Sequence, residues 1–366
     1  MNCFSSLLKF VRPGGARSAS SKSGSKGLVL ISGGTGFVGT EIVRQFAQAG
    51  FTVRATARSA DKIAAWKQAH PEASDVEWIV VPDGSATGAY DTAIKGVKYV
   101  VHSAAPFHHS FTVQENESAM LKPTINMAKA ITAAAIAEPS VTHMCITSTF
   151  AAVVNPKDMP NIGHTYTGKE WNSATYEMAK SMPNPNFVYC AAKVVAEKSV
   201  WENPERKFRV TSICPAMIYG PPRQNIKSMA NLNTSSKAIW NLINGKSTDP
   251  VPKSGIVSGT DVRDVAAVHV RAIETADSAR EDRRILAIAF DRFNSQHVAS
   301  LVKSFANSPD KLARIKNGGN QGDPNYPHYD VDTREAEALL GRPWIGPDQC
   351  IKETAERLWE IEASTS

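Results

Sequence analysis

The chain has 366 residues, 42% of them hydrophobic and 21% charged, enough apolar material for one large α/β domain or two smaller units and too much for wholesale disorder. Its net charge of +6 is local: residues 1–26 hold five basic residues and no acid, leaving 36 basic and 35 acidic residues in the body, which excludes the concentrated basic stripe of a nucleic-acid-binding surface. No apolar run approaches the ~18 residues of a membrane span, and five scattered cysteines make neither a CxxC pair nor a disulfide framework.

The first segment, MNCFSSLLKFVRPGGARSASSKSGSK, is rich in serine and basic residues, with Phe4, Leu7, Leu8, Phe10 and Val11 at the spacing of a short apolar stripe. This is the composition of a mitochondrial transit peptide. The alternative is a basic, disordered tail on a cytoplasmic protein.

From residue 27 the chain alternates. Gly27–Ser32 reads as a buried parallel strand, Thr40–Ala49 as an amphipathic helix, and Phe51–Ala57 as a second strand. Val76–Val81 and Val97–His102 follow as strands, Met120–Ala137 as an alanine-rich helix, and Val141–Thr147 and Phe208–Cys214 as the fifth and sixth strands. Strands alternating with helices predict an α/β fold with a doubly wound parallel sheet. The less regular remainder, mainly about 155–185, 220–260 and 290–366, is expected to form a smaller, discontinuous substrate lobe over the sheet's carboxyl edge.

The first strand runs into Gly33-Gly34-Thr35-Gly36-Phe37-Val38-Gly39, which opens the first helix. Glycines at 33, 36 and 39 allow a tight turn and let backbone N–H groups approach a pyrophosphate at a helix N-terminus. The second strand ends without the acid that would bind the 2′-hydroxyl of NAD; Arg58 and Lys62 follow instead, which suits the 2′-phosphate of NADP(H). The alternative for that pair is solvated surface charge. Asp83, with Gly84, follows the third strand where a carboxylate can meet adenine, and Ala104 and Ala105 follow the fourth, where small residues let a cofactor pass.

Two YxxxK spacings occur, Tyr176…Lys180 and Tyr189…Lys193. On a helix each pair shares a face, and an ammonium beside a phenol lowers its pKa for proton transfer. Pro183 and Pro185 stop any helix after Lys180, whereas Lys193 continues into VVAEKSVW, so Tyr189 and Lys193 are the favoured pair. Thr147, Ser148 and Thr149 end the fifth strand; Thr149, deepest past it, is favoured over Ser148 as the hydroxyl that orients a substrate oxygen. Phe107, Phe150, Tyr219 and Trp240 are candidate pocket walls, with core packing an equal reading. The adjacent His108 and His109 lack a companion ligand set, so no metal site is expected.

These segments together, with HSAAP at 102–106, TSTFAAV at 147–153, WNSATYE at 171–177, YCAAKVVAEKSVWE at 189–202, PAMIYGPP at 215–222, LNTSS at 232–236 and DVRDVAAVHV at 261–270, resemble the extended short-chain dehydrogenase/reductase superfamily. Within it the chain is similar to the dihydroflavonol reductase-like group, with NADPH-dependent methylglyoxal, aldehyde and ketone reductases among its members. The resemblance spans roughly 27–362. It implies Tyr189, Lys193 and Thr149 as catalytic residues, threonine standing where the family usually has serine. It implies NADP(H) contacts from the glycine turn (Gly33, Gly36, Phe37, Val38, Gly39), Arg58, Lys62, Asp83 and Gly84. Further contacts fall on Ala104, Ala105, Tyr189, Lys193, Pro215, Ile218 and Ser235. One departure is Asn126-Met127-Ala128, where the family often carries Asn-Gly-Thr. The implied reaction is reduction of a small carbonyl substrate, with monomer and homodimer both open. The alternatives are an NAD-dependent nucleotide-sugar epimerase or dehydratase and a non-catalytic dinucleotide sensor.

Overall fold

The computed structural model describes residues 25–106, 111–155, 161–252, 258–291, 293–317 and 328–365. The first half alternates as β1 (Leu28–Ser32), α1 (Phe37–Gln48), β2 (Thr52–Ala57), α2 (Ala60–Ala69), β3 (Glu77–Val80), β4 (Tyr99–His102), α3 (Lys122–Ala137) and β5 (His143–Thr147). After it come β6 (Thr165–Tyr166), α4 (Tyr176–Lys180), α5 (Pro185–Trp201), β7 (Arg209–Pro215), β8 (Met217–Tyr219), α6 (Thr234–Ile243), β9 (Gly259–Asp261) and α7 (Val262–Glu274). The chain closes with β10 (Arg283–Ala287), α8 (Ser295–Phe305), α9 (Pro309–Arg314), β11 (Asp330–Val331), α10 (Arg334–Leu340) and α11 (Pro347–Thr365).

Seven strands form one parallel sheet in the order β10-β7-β5-β4-β1-β2-β3. Side chains of successive strand residues point to opposite faces, so an apolar run needs cover on both. Leu30, Val100, Met144 and Val210 face one core with α3 and α5; Val29, Ile31, Val53, Val101 and Ile213 face another with α1, α7 and α10. In α1 the periodicity of Ile42, Val43 and Phe46 puts all three in that second core, fully buried. Each such side chain contributes about 1.5–3 kcal/mol. The six strands expected from the sequence are present, shifted by a residue or two at their ends.

Three features differ from the sequence reading. The seventh strand, RRILA, escaped it because its two leading arginines look like a solvated stretch; the fold neutralises Arg284 inside. The helix expected at Met120–Ala137 starts earlier, as a π-helical turn over Asn116–Leu121. Asn116 anchors that turn, donating from Nδ2 to the carbonyls of Ala179 and Met182, both at 2.9 Å. The Asn126-Met127-Ala128 departure does not hold α3 away from α5: Ala128, Ile131, Ala192 and Ala196 share one core.

Later segments build a separate apolar cluster, in which Ile239, Trp240 and Ile243 of α6 meet Val298 and Val302 of α8 and Ile351, Leu358 and Trp359 of α11. β1 lies between β2 and β4, so the chain order reverses there and a crevice opens beyond the carboxyl ends of β1 and β4. The ends of β5 and β7 lie on the same edge because every strand in the sheet is parallel.

Candidate active site

The glycine turn sits at this reversal. Gly33 has φ +72°, and a Cβ there would press to 3.0 Å on the backbone of Ala104. A Cβ on Gly39 would overlap the Gly33 carbonyl oxygen, so α1 starts tight against the turn. Gly36 is the N-cap of α1 and offers no side-chain bond; the first turn also lacks an acid. The N–H groups and positive end of α1 therefore face the crevice without a capping side chain. Across the crevice, Ser32 Oγ accepts the N–H groups of Ser103 and Ala104, each at 3.2 Å, and pairs with His102 Nδ1 at 2.8 Å. Burial pushes His102 down to about 3, so the ring is neutral at physiological pH.

Thr147 ends β5, Ser148 and Thr149 follow it, and the three hydroxyls diverge. Thr147 Oγ1 pairs with His269 Nε2 at 2.9 Å, and Ser148 Oγ donates to Glu197 Oε2 at 2.5 Å. Thr149 caps the turn Phe150–Ala152 and is hydrogen-bonded to the side chain of Tyr189. Helix α5 starts at Pro185, where the ring fits the first turn, with Asn184 as its cap. It runs unbroken through Tyr189 and Lys193. Lys193 is buried and donates from Nζ to the Thr147 carbonyl at 2.9 Å, tying helix to strand end. Tyr189, Thr149 and Lys193 thus come together as the spacing predicts.

Burial pushes the Tyr189 phenol well above its usual range, and the Thr149 hydrogen bond opposes this in part. Desolvation also pushes Lys193 down, with Glu197 opposing. The phenol is therefore protonated at neutral pH. Tyr176 lies elsewhere: its hydroxyl donates to Glu117 Oε1 at 2.5 Å, in the short helix α4.

At the tip of β2, Arg58 and Lys62 are exposed, and neither makes an ion pair or side-chain hydrogen bond among the described residues. Asp83 is also exposed; its Oδ1 accepts from the N–H (2.9 Å) and hydroxyl (2.6 Å) of Ser85, holding the carboxyl below its ordinary range. Gly84 is buried with no room for a side chain, a Cβ there meeting the Tyr90 hydroxyl. Pro215 ends β7, and Ile218 is half-buried in β8. Ser235 is buried near the start of α6 and accepts from Asn233 Nδ2 at 2.9 Å.

The wall candidates divide. Phe150 and Trp240 are core residues, Phe150 against Tyr166 and Tyr329 and Trp240 against α8 and α11. Tyr219 is half-buried, stacked on Phe290. Phe107, His108 and His109 lie outside the described residues. No cluster of metal-ligating side chains occurs among the described residues, nor is any helix there long and apolar enough to cross a membrane. Sequence reasoning missed Glu197, Arg284 and Ser32. Glu197 falls four residues after Lys193, on the same helix face, which was signal enough to single it out.

An uncapped helix N-terminus behind a glycine turn, with unpaired cations at the neighbouring strand tip, fits a phosphorylated dinucleotide. Residues 29–289 match the model of the NAD dependent epimerase/dehydratase family, and the chain belongs to that family. A protein of Schizosaccharomyces pombe described as a putative uncharacterized oxidoreductase is 35% identical, over 91% of this chain and 97% of its own. The putative NADPH-dependent methylglyoxal reductase GRP2 of Candida albicans is 32% identical, over 90% and 98%. Among solved structures, yeast methylglyoxal/isovaleraldehyde reductase Gre2 complexed with NADPH superposes with a TM-score of 0.81 at 27% identity, over 92% of this chain and 99% of that one.

Proposed function

We propose that the chain reduces an aldehyde or ketone to an alcohol with NADPH. The observation that carries this reading is the Tyr189–Thr149 hydrogen bond, one helical turn from the buried Lys193, past the end of β5 on the sheet's carboxyl edge. The glycine turn and α1 would hold the diphosphate, and Arg58 and Lys62 the 2′-phosphate. When bound, the dihydronicotinamide supplies a hydride to the carbonyl carbon. Thr149 positions the carbonyl oxygen. Tyr189, kept protonated by burial, gives its proton to that oxygen as negative charge develops there. The Lys193 ammonium, fixed on the Thr147 carbonyl, stabilises the phenolate left behind, and a solvent proton restores the phenol.

The relatives named as reductases support this assignment, and Arg58 argues against the NAD-dependent epimerase alternative. NADPH oxidation against a panel of aldehydes, diketones and β-ketoesters tests it. Turnover with at least one class is expected, and Tyr189→Phe should lower kcat by roughly 10³-fold without loss of folding. No NADPH consumption by any panel member, or turnover undiminished in the variant, would sink the reading. We also infer that residues 1–26 direct the chain to mitochondria; a fluorescent reporter carrying only that segment should enter them, and a diffuse cytosolic signal would count against it.

A further inference from the structure

Behind the catalytic residues lies a buried ionic cluster that the reaction itself does not require. Glu197 of α5 is 2% exposed, and Arg284 of β10 is 8% exposed. The guanidinium grips the carboxylate through Nε to Oε1 at 2.8 Å and NH2 to Oε2 at 3.2 Å. Arg284 also donates to the carbonyls of Ala152 (2.9 Å) and Glu170, and lies 3.7 Å over the Trp171 ring. Glu197 in turn receives the Ser148 hydroxyl. Thr149 stands between two of these anchors, with Ser148 fastened to Glu197 on one side and Ala152 fastened to Arg284 on the other.

Burying two charges is costly unless each is fully bonded, and hydrophobic residues of like volume often stabilise as well. Stability alone is therefore a poor reason for this pair, and its placement points to geometry. We propose that Glu197 and Arg284 are positioning residues of the reductase site: together they fix the Thr149 turn to helix α5, and Glu197 is the counter-charge of Lys193. The groups around Lys193 leave Glu197 as its only anion among the described residues. His102 of β4 is neutral, and Cys214 of β7 is held protonated by burial. Tyr189, one turn back on α5, is protonated, and β5 offers the Thr147 carbonyl. From α3, Thr124 and Ala128 border the small cavity shared with Lys193 and Glu197, neither with a charge. Arg284 lies beyond Glu197.

Desolvation favours the neutral amine of Lys193, and Glu197 opposes it. Removing the carboxylate should let Lys193 lose its proton at lower pH. Glu197→Gln keeps the shape and an acceptor for Ser148 without the charge. Arg284→Lys keeps the charge but loses the fork. Glu197→Gln combined with Arg284→Met removes both charges and leaves no unpaired ion inside. All are made in the full chain.

The proposal rests on the reductase reading only for its kinetic readout. In Glu197→Gln, kcat should fall roughly ten-fold or more with the carbonyl KM held within about three-fold, and its alkaline limb should move down by about one pH unit. In Arg284→Lys the limb should stay, while amide exchange across Ala151–Val153 quickens by roughly ten-fold or more. The double variant should show both effects. An unmoved limb in Glu197→Gln overturns the counter-charge, and unchanged exchange in Arg284→Lys and the double variant overturns the clamp. If the wild type reduces no carbonyl, the reductase reading fails on its own. The exchange measurement then still decides the clamp, and the pH dependence of NADPH binding, followed by protein fluorescence, decides the counter-charge.

Discussion

Thr147, Ser148 and Thr149 show how much one residue of phase matters at the end of a strand. Thr147 closes β5 facing His269, while Ser148 and Thr149 lie past the strand, where its alternation ends, and meet Glu197 and Tyr189 of α5. The hydroxyl proposed to be catalytic is therefore chosen by position. Thr149→Ala should cut kcat by roughly 10²-fold or more, while Thr149→Ser, which restores the hydroxyl without the methyl, should stay within about ten-fold of wild type. Steady-state kinetics on the two variants checks this, and equal losses in both would move the role to another group. At the cofactor end, Arg58 is exposed beside Asp83, whose carboxyl its charge helps to hold down. Arg58→Glu should raise the KM for NADPH by roughly ten-fold or more and leave that for NADH nearly unchanged. An equal change in both would show that the 2′-phosphate is not what Arg58 meets. The residues proposed to react could be singled out in the sequence because spacing and helix breakers separate Tyr189 from Tyr176. The partners that hold them were harder to single out, since Arg284 acts from a strand far along the chain and its contacts to the Ala152 and Glu170 carbonyls leave no residue-type signal.

Among the elements, the early strands were readable because each is a short apolar run buried on two faces, bounded by glycine or a charged loop. β10 was not, because its amphipathic-looking start conceals an arginine whose partner is supplied by α5. β6, β8, β9 and β11 have two or three residues each, β6 pairing with β11 and β8 with β9, too short for any periodicity to register. The π-helical turn ahead of α3 likewise depends on a distant contact, Asn116 reaching the carbonyls around α4. At the β1–α1 junction the turn leaves no freedom. Gly39→Ala must displace either the helix or the Gly33 peptide, so a loss of about 1–3 kcal/mol is expected by urea unfolding, with weakened NADPH binding. Wild-type stability together with wild-type binding would mean that the helix can slide away from the turn.

The molecule as a whole carries several histidines in its interior. Burial depresses His102 to about 3, and His143 and His269 to about 4. In the unfolded chain these rings take up protons below about pH 6.5. The folded protein does not follow until pH 3–4, so stability is lost as pH falls through that window, at roughly 1.4 kcal/mol per pH unit for each ring. Urea midpoints should therefore drop steeply between pH 6.5 and pH 4, and a flat profile there would mean the rings are hydrated.

The order in which the sheet is filled has a consequence for how the protein is made. β10 forms the sheet's outer margin, yet its Arg284 neutralises a carboxylate translated 87 residues earlier. During synthesis the nucleotide-binding half can leave the ribosome and pair its strands while Glu197 still waits for its counterion. The crevice should stay open to proteases and chaperones until β10 has cleared the ribosome, and stalled nascent chains with Arg284 inside or outside the exit tunnel should differ sharply in limited proteolysis around Thr149.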